Sequence, residues 1–108
     1  MPVLEGVNRK NFQINTRSWR LLVDFIFDHS GNLIKEDERH GWHEGYGKII
    51  SGETANKIAD CIDRLIAEEV VERHIIELSI IKMESHFSVE ILKKFAQFLR
   101  SSGGFDIW

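Results

Sequence analysis

Residues 51–84 read SGETANKIADCIDRLIAEEVVERHIIELSIIKME, and the division of this stretch decides the fold. It contains no proline and, after Gly52, no glycine. Its first half has a clear period. Ala55, Ile58, Ala59, Ile62, Leu65 and Ile66 recur on one face of a helix, with Asp60, Asp63, Arg64 and Glu68 on the other side. Ser51 is placed to cap the free N–H groups of that helix, and Glu53 suits the positive end of its dipole. Around Glu68 to Arg73 the pattern loosens. From His74 to Met83 the chain is apolar again. There Ile76, Leu78 and Ile80 also alternate, so both helix and strand fit. With no breaker between the halves, helix is the preferred reading: one element over 52–84, broken, if anywhere, near Val70 to His74.

Outward from this stretch, two further helices are readable. Asn15 or Thr16 caps the first, over about 16–28. With Asn15 as cap, Ile14 and Trp19 occupy the positions of a hydrophobic staple. Trp19, Leu22, Val23 and Ile26 keep helical spacing, and Leu21, Phe25 and Phe27 widen the stripe, as in a helix central to a core. Ser30-Gly31-Asn32 ends it. Ser88 caps the last helix, over 88–101, with Val89, Leu92, Phe95, Ala96 and Leu99 inward. Arg100 suits its negative end, and Gly103 or Gly104 supplies a left-handed stop. Phe12 to Ile14 and Phe105 to Ile107 are short apolar segments that could pair as a small two-stranded piece. The expected architecture is a mainly α single domain over 1–108, with three principal helices.

The tail Phe95-Ala96-Gln97-Phe98-Leu99-Arg100-Ser101-Ser102-Gly103-Gly104-Phe105-Asp106-Ile107-Trp108 follows an early Ser18-Trp19-Arg20 helix. This order resembles a loose group of small bacterial proteins whose ends read FAxFLRxSGGFxI. The resemblance implies a bacterial origin and a self-contained domain, and carries no activity.

Composition excludes several classes. The 108 residues are 43% hydrophobic and 29% charged, which is the balance of a folded domain and not of a disordered chain. The net charge of -3 argues against nucleic acid as the main partner, because phosphate binding needs a basic excess. A single cysteine, Cys61, leaves no intrachain disulfide and no Cys-rich zinc site. No apolar run has the length of a signal peptide or membrane span, so a cytoplasmic protein without membrane contact is expected.

Candidate sites are few. His40, His43 and Glu44 are metal-type ligands at close spacing, but a closed zinc site needs about four ligands, and His74 or His86 would have to reach across. The nearby glycines argue against the helix that would align His40 with His43. Gly41, Gly45 and Gly47 could cradle an anion, yet they match neither the P-loop nor the dinucleotide fingerprint. Cys61 reads as a small buried hydrophobe, its thiol pKa raised by Asp60 and Asp63. No catalytic residue, metal or cofactor is assigned.

Trp42, Tyr46 and Trp108 are the binding candidates, since Trp and Tyr are favoured at interface centres. The competing reading is that all three complete a small core. The surplus of apolar residues at Val71, Ile75, Leu78 and Ile81 suggests a homodimer interface. The expected function is therefore a non-enzymatic protein–protein interaction module, adaptor-like or immunity-like, with a protein or a second copy as partner. The alternatives are a small-molecule or metal-binding enzyme built on the Gly-rich loop, and a purely structural homodimer.

Overall fold

The computed structural model describes residues 2–30, 33–44 and 48–108. In chain order the elements are β1 (Val3–Gly6), β2 (Asn11–Gln13), α1 (Thr16–His29), α2 (Arg39–Glu44), β3 (Lys48–Ser51), α3 (Gly52–Ala67), α4 (Val70–Ile80), α5 (Val89–Ser102) and β4 (Gly104–Ile107). The fold is mainly helical, but it is not built from three helices alone: five α-helices accompany a four-stranded antiparallel sheet among the described residues.

The three expected caps are in place. Asn15 accepts from Ser18 N–H at 2.8 Å, Ser51 from Thr54 N–H at 3.2 Å and Ser88 from Ile91 N–H at 3.1 Å. Each satisfies a donor that the first helical turn leaves open.

The long middle element is two helices. α3 ends at Ala67 and α4 begins at Val70, with Glu69 between them in the left-handed region at φ 62°. The break thus falls just before the 70–74 segment the sequence suggested. A left-handed turn made by glutamate leaves no glycine signature to read. The 74–83 ambiguity resolves as helix to Ile80, followed by a second non-glycine turn at Lys82, φ 59°.

The sheet departs furthest from expectation. Its order is β2-β1-β4-β3. Phe105–Ile107 does not pair with Phe12–Ile14. Instead β4 inserts between β1 and β3, and Phe12 lies opposite Leu4 on the outer strand β2. Strands of three or four residues give too short an alternation to be recognised before their partners are known.

Alternation then divides the sheet cleanly. Leu4, Ile50, Phe105 and Ile107 are buried against the helices. Phe105 meets Phe95 and Phe98 of α5 edge-on, at 6.5 and 5.6 Å between ring centres. The helices cover this one face. Entry into β4 requires Gly103 and Gly104, at φ 71° and 111°. A Cβ on Gly104 would lie 2.9 Å from the Ile50 carbonyl oxygen, so the close approach of β3 also needs glycine. The β1–β2 turn closes the end of α5: Asn8 donates from Nδ2 to the Ser101 carbonyl and from its backbone to that of Ser102.

Candidate functional site

The glycines at 41, 45 and 47 argue for irregular backbone over Gly41 to Gly47, but its described part, to Glu44, is helical and clamped onto α1. The glycine there, Gly41, lies within α2. Arg20, Asp24 and Asp28 are spaced four apart, so they line one face of α1. Opposite them run Glu44, His43 and Arg39, in antiparallel order. Arg20 Nη2 lies 3.4 Å from Glu44 Oε1, His43 Nε2 lies 2.9 Å from Asp24 Oδ1, and Arg39 Nη2 donates to Asp28 Oδ1 at 3.0 Å. Arg39 also reaches Glu36 at 2.9 Å and covers the Phe27 ring. Desolvation works against its charge, but the bonds and charges of Asp28 and Glu36 outweigh it and raise the guanidinium pKa.

This ladder accounts for the metal-type residues. His43 and Glu44 are turned to partners on α1, while His40 is exposed. Among the described residues no group of three His, Cys, Asp or Glu side chains could hold a metal ion.

The ladder also presses Trp42 into the core, where it is fully buried. Its ring stacks on Trp19 at 6.1 Å and meets Phe27 and Phe105 edge-on. Its carbonyl accepts from Trp19 Nε1 at 2.7 Å. A residue so placed cannot touch a partner without opening the core. Tyr46, with Gly45 and Gly47, lies outside the described residues.

Trp108 is on the other side of the sheet and 60% exposed. It extends β4 by one residue, since Val3 and Trp108 exchange backbone hydrogen bonds at 3.1 and 2.8 Å. The pairing register then defines the outer face. One row across the strands is Asn11, Glu5, Asp106 and Ile49; the next contains Gln13, Val3 and Trp108. Ile49 is 73% exposed, and Val7, just beyond β1, is also exposed. No described helix covers this side. Sequence reasoning missed Ile49 and the two carboxylates, because their shared face exists only once the strands are in register.

The assembly candidates also need correcting. Val71 and Leu78 face inward and Ile75 is half-buried, leaving only Ile81 of the four on the surface. The exposed apolar group is Ile76, Ile80 and Ile81, because the kink at Glu69 turns the Val71–Leu78 stripe of α4 onto the body.

Cys61 is buried and its thiol pKa is raised, first by desolvation, with Arg64 at 3.7 Å pulling the other way. The expected direction holds, but the cause differs. Asp60 and Asp63 are drawn away to Arg100, at 2.9 and 2.6 Å.

A groove of about 570 Å³ runs past Arg17, Arg20, Leu21, Met83 and His86. It is shallow, and Arg20 already leans to Glu44. No described helix is long and apolar enough to cross a membrane. Compared with protein families, characterised proteins and solved structures, the chain matches none.

Proposed function

We propose that this chain is a non-enzymatic interaction module that binds a protein partner through the outer face of its sheet. One observation carries the reading: Trp108 and Ile49 stand exposed on a sheet face that no described helix covers. Large apolar side chains grouped on one surface cost free energy in water and mark contact sites. Trp108 supplies the anchor expected of an interface centre. An adaptor-like or immunity-like role fits such a surface by analogy with small acidic binding proteins. A cytoplasmic setting belongs to the same reading, in keeping with one unpaired thiol.

The test is affinity capture with a tagged full chain beside Trp108→Ser and Ile76→Ser variants. A protein retained in stoichiometric amount by the parent and Ile76→Ser, and lost from Trp108→Ser, supports the sheet face. Retention by all three, or no retained protein, overturns it.

A second reading is self-association through α4, favoured by the exposed Ile76, Ile80 and Ile81. Sedimentation equilibrium of the parent against Ile76→Glu/Ile80→Glu decides it. A dimer that becomes monomeric in the variant supports this reading; a monomeric parent at all concentrations removes it.

A further inference from the structure

Glu5 and Asp106 are direct register partners on neighbouring strands and therefore share the outer face of the sheet. Like charges placed opposite in an antiparallel pair repel. Neither carboxylate has an ion-pair partner among the described residues, although Arg20, Arg39, Lys57, Lys94 and Arg100 are all so engaged elsewhere. Their row offers no cation: it runs Asn11, Glu5, Asp106, Ile49. The two carboxylates thus form a negative centre bordered by apolar groups in two directions, Ile49 across the strands and the Val3–Trp108 pair along them.

Resting on the sheet-face reading above, we propose that this surface recognises a basic, apolar segment of a protein partner, with one arginine or lysine seated between Glu5 and Asp106. That cation relieves the repulsion between them. Arginine suits the place better, because its planar fork can serve two carboxylates while lying flat on an indole ring such as Trp108. In an extended segment, side chains two residues away point the same way and reach about 7 Å along the strand. Laid along β1 and β4, such a segment brings an apolar neighbour of the cation over Val3 with Trp108, while Ile49 borders the cation from the adjacent strand. Charge also disfavours the other occupants. Two copies meeting by this face would bring four carboxylates together, and phosphate-rich nucleic acid or anionic lipid would be repelled.

The test is an NMR titration of the ¹⁵N-labelled full chain with a six-residue peptide of alternating leucine and arginine. Its counterpart carries glutamate in place of arginine. The expected result is saturable shifts at the amides of Val3 to Val7, Ile49 and Asp106 to Trp108, and at the Trp108 indole. The glutamate peptide binds at least roughly tenfold more weakly, the difference expected when a few charged contacts change sign. Glu5→Gln/Asp106→Asn, near-isosteric and exposed enough to leave the fold intact, weakens the arginine peptide about three- to thirtyfold. Trp108→Ala weakens both peptides. Equal binding of the two peptides to this face overturns the cation site while leaving the face a contact surface. Parent-like binding by the double variant, shifts confined to other surfaces, or no shifts overturns the cation site too. The capture experiment then judges the contact-surface reading separately.

Discussion

Trp42 and Trp108 lie on opposite sides of the same strand. Trp42 packs on Phe105, which points inward from β4, whereas Trp108 ends β4 on the outward side with Asp106. The sequence offers both as anchors for a partner, and nothing in residue type separates them. Trp42 is carried inward on α2, whereas Trp108 is set outward by the two-residue period of β4, where a one-residue step exchanges a core position for a surface one. The inner side is saturated by rings and covered by helices. The outer side keeps a tryptophan, an isoleucine and two opposed carboxylates in solvent. The lesson is that aromatic content alone does not mark an interface; the face to which its element turns the ring does.

This contrast can be broken most sharply at Trp42. Trp42→Ala removes a fully buried ring with three aromatic neighbours and is expected to cost about 3–5 kcal/mol, measured by urea unfolding. A loss below about 1 kcal/mol would show that the inner face is not packed as described. Next comes Gly104→Ala at the entry to β4, where φ is 111° and a Cβ would crowd the Ile50 carbonyl. About 1–3 kcal/mol of strain is expected from the same unfolding measurement. Parent-like stability would mean that β3 does not approach so closely.

Burial among the helices also has a chemical signature, at Cys61. Desolvation raises its thiol pKa, so the folded state holds that proton more tightly than the unfolded chain. The resulting stability is fully present below the unfolded thiol's pKa and is lost as pH rises through the folded one. Iodoacetamide should label Cys61 more slowly in the folded protein than in urea, with the onset of labelling displaced to higher pH. An identical profile in both states would place the thiol in solvent.

Effects on the outer face are smaller. Trp108→Ala is expected to change stability by less than about 1 kcal/mol, in clear contrast to Trp42→Ala. A larger loss would make Trp108 a structural residue and remove the reason for assigning it to a partner. The smallest effect has the opposite sign. Glu5→Gln removes the repulsion with Asp106 and should stabilise the free protein by roughly 0.2–0.5 kcal/mol, with the gain shrinking at high salt. No gain at low salt would mean the two carboxylates do not face each other.

Much of the helical layer was legible from the chain. Asn15, Ser51 and Ser88 each cap the helix their position announced, and the stripes of α1, α3 and α5 are buried as their spacing implies. Of the two glycines offered as a left-handed stop, Gly103 is the cap of α5. The turns at Glu69 and Lys82 were not legible, because non-glycine residues make them. For the candidate site, Trp108 was found and Ile49 was not. His43 and Glu44 read as ligands until Asp24 and Arg20 were seen to claim them.

What the sequence determined by itself is local: cap chemistry, helical periodicity and the left-handed stop all depend on residues within a turn or two of each other. What the tertiary structure alone decided is non-local. The insertion of β4 between β1 and β3 joins the two ends of the described chain, and only that pairing sets which side of each strand is covered. The physical reason is that a four-residue strand has almost no intrinsic preference for either face. Its register, and with it the fate of Trp108, Glu5 and Asp106, is fixed by backbone hydrogen bonds to partners far away in sequence and by the helices that bury one side.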